Sequence, residues 1–123
     1  MASRRLPDRA AVLTAAIDDA PVCVFVADAD MRFVAVNGYA CELLGYSEDE
    51  LLEMRVTDIA TYDEAPKEYS TMMALAYLRG MSRLRCKDGE ELALNYVAGE
   101  MSMNGTELYV SVGTAEFLPD AES

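Results

Sequence analysis

Two turn dipeptides in the last third of the chain constrain the fold most strongly: Asp88-Gly89 and Asn104-Gly105. Both dipeptides tolerate positive φ at the two central positions of a tight hairpin turn, so each predicts a turn between antiparallel strands. The segments that these turns join are rich in apolar residues and are predicted as strands over residues 81–86, 91–101 and 107–117. The C-terminal third therefore predicts three consecutive antiparallel strands.

The first two thirds of the chain predict two more strands and a series of helices. Apolar residues at 3.6-residue spacing predict an amphipathic helix over residues 8–20, and two β-branched segments predict strands over 22–27 and 32–36. Further helices are predicted over 38–44, from the capping box at Ser47 through Met54, over 56–60, and over 63–78 as the longest, with Gly80 after its end. This order predicts an α+β fold with one five-stranded antiparallel sheet, short helices on one face, and an additional N-terminal amphipathic helix.

Composition narrows the classes of function. The 123 residues are 52% hydrophobic, which is typical of a single globular domain. The net charge of −12 argues against binding to nucleic acids or anionic membranes, because both would repel the chain. No apolar run is long enough for a signal peptide or a membrane span.

The chain contains few of the groups that enzymes use. It has no histidine, which removes the commonest general base, metal ligand and proximal haem ligand. It also has no glycine-rich phosphate loop and no nucleophile elbow, so we expect that it is not an enzyme. Cys23, Cys41 and Cys86 match neither a disulfide framework nor a zinc site, and we expect a cytoplasmic location.

Several short motifs follow one another in the order and spacing of a known family. They are Asp28 after the first strand, Val36-Asn37, Leu43-Leu44-Gly45-Tyr46-Ser47 with Glu50-Leu51-Leu52, Arg83 with Lys87-Asp88-Gly89, and Asn104-Gly105. In this order the chain resembles a PAS domain over nearly its whole length. The resemblance implies the sheet order 2-1-5-4-3, a pocket between the sheet and the helical middle, and a sensory role in signal transduction.

The chain departs from the PAS pattern at two places. Glu53 stands where the family often has glycine, and Gly113-Thr114-Ala115-Glu116 replaces the C-terminal DIT signature that usually leads into a coiled coil. The domain organisation that we expect is an N-terminal cap helix (1–20), a PAS domain (21–118) and an acidic tail (119–123). We expect a stand-alone PAS protein, with a domain excised from a larger protein as the alternative.

The resemblance also implies a choice of ligand chemistry, since PAS domains bind haem, flavin, other chromophores, small metabolites or nothing. Haem-binding members typically use a histidine, which this chain lacks, and Val56 stands where flavin photosensors carry their reactive cysteine. Cys41 is predicted to be a small core residue rather than a reactive thiol. We therefore expect neither haem nor flavin as a cofactor, which leaves a small organic ligand or none.

Strand alternation together with the resemblance places a mostly apolar set of residues around the expected pocket. The predicted ligand-binding residues are Phe25, Ala27, Ala40, Leu43, Leu44, Val56, Ile59, Tyr69, Met72, Met73, Ala76, Leu94, Tyr96, Tyr109 and Ser111. A fatty-acid-like or aromatic ligand fits this lining, with its polar end on Tyr96, Tyr109 or Ser111, whereas a multiply charged metabolite such as citrate does not. The alternative is a closed core in a ligand-free module for protein–protein interaction.

The outward positions of the same strands are also apolar, which is unusual for a sheet face in water. They are Val22, Val24, Val26, Ala93, Val97, Leu108, Val110 and Val112. We expect this face and the N-terminal helix to form a homodimer, and a signalling partner protein is a further expectation. A monomer remains the alternative if the helix covers its own sheet completely.

Overall fold

The structure is a computed structural model that describes residues 8–61 and 77–118. Its helices are α1 (Arg9–Asp19), α2 (Gly38–Leu44), α3 (Glu48–Leu51) and α4 (Val56–Ile59). Its strands are β1 (Cys23–Ala27), β2 (Phe33–Val36), β3 (Tyr77–Arg85), β4 (Glu91–Met103) and β5 (Thr106–Phe117).

The five strands form one sheet in the order β2-β1-β5-β4-β3, and all neighbouring strands are antiparallel. This confirms the predicted fold class and strand order. Side chains alternate as expected: Cys23, Phe25 and Ala27 are buried, whereas Val24 and Val26 between them are only half-buried. Within residues 8–61 and 77–118, no helix has the length and hydropathy that crossing a membrane requires.

Helices α1, α2 and α3 begin at polar residues whose side chains cap free backbone N–H groups. The carboxylate of Asp8 accepts hydrogen bonds from the backbone N–H groups of Ala10 and Ala11 at the start of α1. The predicted capping box at the start of α3 is present, with reciprocal bonds between Ser47 and Glu50. The helix itself ends at Leu51, earlier than predicted, and α3 is thus a single turn.

The prediction that the longest helix runs to residue 78, with Gly80 after its end, is wrong at that end. Tyr77 already pairs with Gly99, and Gly80 lies inside β3 opposite Tyr96. Glycine is suited to this strand position because the Tyr96 side chain lies over it, and a Cβ atom at Gly80 would be 2.8 Å from the Tyr96 Oη. The remainder of the predicted helix, residues 63–76, lies outside the described residues.

Both predicted turns occur, but they differ in type. Asn104 and Gly105 both have positive φ, 52° and 78°, and Met103 pairs with Thr106 across them, as expected for a two-residue turn. At Asp88-Gly89 only the glycine has positive φ, 94°. There the Cys86 N–H donates to the Glu90 carbonyl at 2.7 Å, so the turn has three residues with glycine in the left-handed position.

The core lies between the sheet and α2, α3 and α4. Its main cluster consists of Cys23, Phe25, Phe33, Val36, Ala40, Leu44, Leu51, Ile59, Leu84, Cys86, Leu92 and Leu94. A smaller cluster joins Ala98 and Tyr109, and Tyr96 packs against both clusters. The helix-facing side of the sheet therefore carries two buried clusters that meet at Tyr96.

Candidate functional site

The inner face of the sheet, which faces the helices, has a central region of small side chains. Strand pairing aligns Cys23, Gly113, Tyr96 and Gly80 in one row across four strands. Adjacent rows complete a low surface that we call the floor, made of Cys23, Ala27, Gly80, Ala98, Ser111 and Gly113. Glycine, alanine, serine and cysteine extend little above the backbone, so this part of the sheet fills less of the adjoining layer than its surroundings do.

Two larger aromatic residues lie among the residues of the floor. Phe25 lies between two floor residues on β1 and stacks at an angle on Phe33, with 5.6 Å between the ring centroids. Tyr96 lies between the two floor glycines in their row and bends over Gly80, and its half-buried ring contributes to both buried clusters. The floor therefore combines small side chains with aromatic rings, an arrangement that suits an apolar or aromatic molecule.

Two glycines keep the floor low for different reasons. At Gly113 a Cβ atom would collide with the backbone carbonyl oxygen of Asn95 and approach Leu94 Cδ1 to 2.9 Å, so close strand packing excludes any side chain. At Gly80 the three atoms nearest to the added atom all belong to the side chain of Tyr96. The close approach of the neighbouring backbone thus requires glycine at position 113. At position 80 it is the side chain of Tyr96 that leaves no room for a larger residue.

The predicted hydroxyl anchors are placed differently from one another. Ser111 is half-buried in the floor, and Tyr96 is half-buried between the floor residues Gly80 and Gly113. Tyr109 is buried, but its hydroxyl donates to the Glu107 carboxylate at 3.4 Å. Burial, together with the negative charges of Glu107 and Glu100, raises the pKa of the Tyr109 phenol. Tyr109 therefore stays protonated at neutral pH and directs its proton to Glu107, away from the floor.

The structure brings most of the predicted ligand-binding residues to the inner layer. Phe25, Ala40, Leu44, Ile59 and Leu94 belong to the main buried cluster, and Leu43, Val56 and Tyr96 pack against it. Ala27 and Tyr109 are buried, and Ser111 is half-buried. The predicted residues Tyr69, Met72, Met73 and Ala76 lie outside the described residues.

Gly80 is a floor residue that the sequence reasoning missed. The sequence pattern predicts that Gly80 follows the end of a helix, although the strand register contains the signal for a strand position. Counting back from the Asp88-Gly89 turn pairs Gly80 with Tyr96 and places it on the same face as Ser82 and Leu84. Extending the predicted hairpin by register would therefore have found it.

The cysteines have the properties of core residues. Burial raises the pKa of the Cys23 thiol to about 11. Burial also raises the pKa of Cys41, with contributions from Glu48 and Asp18, and that of Cys86, with contributions from Asp88 and Glu90. These thiols stay protonated near neutral pH and are poor nucleophiles. In the described part of the chain, no three histidine, cysteine or acidic residues are grouped as metal ligands would be.

The opposite face of the sheet, which we call the outer face, is largely apolar and accessible. Val24, Val112 and Val97 lie side by side on three adjacent strands, and Arg79 continues this row on β3. An open cavity of about 390 Å³ lies on this face. The cavity is lined by Val22, Arg79, Gly80, Asn95, Tyr96, Val97, Val112, Gly113 and Thr114.

The apolar residues of α1 are exposed as well. No residue of α1 is buried, and Val12, Leu13 and Ile17 have 45%, 51% and 47% of their surface accessible. The structure thus presents a second apolar surface on α1, which ends at Asp19, shortly before β1 begins at Cys23. Surfaces of this kind often mark sites of interaction.

Comparisons with known proteins agree with this architecture. A family model described as "PAS domain" matches residues 11–76. A PAS domain of a two-component sensor histidine kinase is 18% identical with a TM-score of 0.79, and the match covers 86% of this chain and 95% of that one. The PAS domain of an HTR-like protein from Haloarcula marismortui is 18% identical with a TM-score of 0.75, covering 89% and 91%.

An RNA-binding light-oxygen-voltage receptor is 22% identical with a TM-score of 0.72, and the match covers 92% of this chain and 35% of that receptor. None of the curated proteins matches the chain significantly. At these identities the solved structures are evidence for the shared fold, and the family model is evidence for the family.

Proposed function

Because the chain belongs to the PAS domain family, whose members are typically sensory domains in signal transduction, we propose that it binds a small apolar or amphipathic molecule. The binding site is the space above the floor, and the ligand is a fatty-acid-like or aromatic molecule. The domain then acts on signalling through contacts with a second copy or a partner protein. It does so without catalysis and in the cytoplasm, where its free thiols remain reduced.

The observation that carries this proposal is the set of small side chains in the middle of the inner face. Protein interiors are packed as densely as organic crystals, and Tyr96 already covers Gly80, while Leu94 and Tyr96 cover Gly113. The part of the floor that a ligand would cover is therefore the part around Ala98 and Ser111. The aromatic rings of Phe25 and Tyr96 next to these two residues supply flat apolar contacts for it.

The polarity of the floor defines the class of ligand. The floor residues themselves are uncharged, and the hydroxyls on this face belong to Ser111 in the floor, Tyr96 next to it and the buried Ser82 two residues after Gly80. One or two hydrogen bonds can hold the polar end of an otherwise apolar molecule, whereas burying several uncompensated charges would be costly. A multiply charged metabolite such as citrate is therefore a poor fit.

We propose that neither haem nor flavin is the ligand. The chain has no histidine to serve as the proximal ligand of haem. Val56, at the start of α4, cannot form the thiol adduct of a flavin photosensor. Among the described residues the buried polar side chains are Asn37 and Ser82, so no buried carboxylate offers a shifted pKa for acid–base catalysis.

A titration with a dansyl-labelled fatty acid tests the proposal, with fluorescence as the readout. Ser111→Leu adds side-chain volume directly above the floor, and we expect it to weaken binding by about tenfold or more, since overpacking costs about 1–3 kcal/mol. Val110→Leu is the matched control, because residue 110 is next along β5 but points to the outer face. This control should bind the probe as the wild type does.

The proposal fails if the wild-type protein does not bind the probe and Ser111→Leu instead lowers the stability of the fold. That combination would mean that side chains already fill the space, and the domain would then be a ligand-free interaction module. Equal effects of Ser111→Leu and Val110→Leu on probe binding would also contradict a site on the inner face.

A second candidate function, association with another copy, is favoured by the exposed apolar surfaces of α1 and the outer face. An isolated helix of 11 residues is marginally stable in water, and α1 buries none of its own residues. Its apolar side chains and the valines of the outer face are both exposed on the same molecule. A symmetric pair in which α1 lies on the outer face of the partner would cover both surfaces at once.

A further inference from the structure

Helix α1 is joined to the rest of the domain at its last turn. No residue of α1 is buried, although the helix is 11 residues long and ends three residues before β1. A helix of this length gains most of its stability from packing when it is part of a protein. The contacts between its last turn and the rest of the domain therefore fix the orientation of α1.

Asn37, the N-cap residue of α2, is the centre of these contacts. Its side chain is buried, with 3% of its surface accessible. Its Oδ1 accepts hydrogen bonds from the backbone N–H groups of Val24 at 3.0 Å and Ala40 at 3.2 Å. Its Nδ2 donates to the carbonyl oxygens of Ile17 and Val22, both at 2.8 Å. All donor and acceptor positions of one amide are thus used to connect α1, β1 and α2.

Asp18 supplies a second connection between the same two helices. Its Oδ1 accepts a hydrogen bond from the backbone N–H of Gly38 at 2.9 Å. A Cβ atom at Gly38 would lie 3.2 Å from the Asp18 carbonyl oxygen, so glycine allows this close approach. The negative carboxylate also lies where the backbone N–H groups at the start of α2 favour it.

Helix α2 in turn belongs to the core at both ends. Its residues Ala40 and Leu44 are fully buried. Its last carbonyl groups, those of Leu43 and Leu44, accept hydrogen bonds from the Cys86 thiol at 3.4 Å and the Lys87 N–H at 2.8 Å. Helix α2 therefore connects the core with the residues that hold α1.

We propose that Asn37 and Asp18 are positioning residues that fix the direction of α1 relative to α2, so that changes in the core are passed to α1. This link between the two helices does not depend on ligand binding or dimerisation. Only its consequence, that the link controls contact between α1 and a second copy, rests on the proposed function.

Hydrogen exchange measured by mass spectrometry on the full chain, at a concentration where it is monomeric, tests the link. Asp18→Ala removes the acceptor for the Gly38 N–H, and we expect the amides of α1 to exchange about tenfold faster, as for the loss of one hydrogen bond. Amides of β4 and β5 should not change. Asp18→Asn keeps an oxygen at the same place and should stay within about twofold of the wild type.

Leu43→Ala tests the transmission, because Leu43 is a half-buried residue of α2 that packs against the core. We expect this variant to speed amide exchange in α1 in the wild-type background. In the Asp18→Ala background, the change that it causes in the logarithm of the exchange rate should be less than about half as large. Equal effects in both backgrounds would overturn the proposal. So would unchanged exchange of α1 in Asp18→Ala, or equal acceleration of α1, β4 and β5.

Sedimentation of the same variants separates this inference from the proposed function. A weaker dimer for Asp18→Ala but not for Asp18→Asn supports control of the second-copy contact by the link. A wild type that is monomeric at all concentrations refutes the proposed dimer. The exchange rates of the α1 amides then still test whether Asn37 and Asp18 link α1 to α2.

Discussion

Gly113 shows how one residue can determine the shape of the inner face. The backbones of β4 and β5 are so close at this position that a methyl group would meet the Asn95 carbonyl oxygen. Gly80 lies on the same face, but there the methyl group would meet the hydroxyl end of Tyr96 at 2.8 Å. A side chain can rotate away more easily than a paired strand can shift, so the two glycines should differ in their tolerance of substitution.

We predict that Gly113→Ala lowers the free energy of unfolding by about 1–3 kcal/mol, the usual range for overpacking a well-packed site. Gly80→Ala should lower it less, since Tyr96 can move. Urea unfolding of both variants checks this prediction, with the midpoint compared at unchanged slope. A Gly113→Ala protein that is as stable as the wild type, or less affected than Gly80→Ala, would contradict the packing described here.

At the scale of elements, the parts of the fold with strong local signals were predictable. The Asn104-Gly105 turn, the capping box at Ser47 and the alternation along β1 each depend on residues close in sequence, and the structure contains all of them. The start of β3 was not predictable in this way. Strand pairing with β4 extends it to Tyr77, and a glycine that would end a helix is instead an interior strand residue.

The candidate site was predictable only in part, for a related reason. Alternation placed Phe25, Ala27, Leu94 and Ser111 on the inner face correctly, because the side-chain period of a strand is local. The direction of the Tyr109 hydroxyl toward Glu107 depends on a specific side-chain contact, and no pattern in the sequence indicates it. The collision that excludes a side chain at Gly113 likewise depends on the distance between two strands.

On the scale of the whole molecule, the outer face and α1 are two apolar surfaces exposed on one small, acidic protein. Burial of apolar surface contributes about 25 cal/mol per Å², so covering several valines favours association. We predict that the wild type sediments as a dimer at micromolar concentration and that Val110→Glu, in the centre of the outer face, shifts it to a monomer.

Leu52→Glu is the matched control for this prediction, because Leu52 is an exposed leucine after α3, away from the outer face. It introduces the same charge and should leave the dimer intact. The dimer assignment is wrong if the wild type is a monomer, or if Val110→Glu remains folded and fully dimeric.

The central claim is that the space above the floor holds a small apolar or amphipathic molecule. Native mass spectrometry of gently purified wild-type protein, followed by the same measurement after denaturation, tests this most directly. We predict a bound molecule of fatty-acid or small aromatic mass that is released on denaturation and is absent or reduced in Ser111→Leu. A citrate-like adduct, or a protein that retains no molecule and also fails to take up an added fatty acid, would contradict the claim.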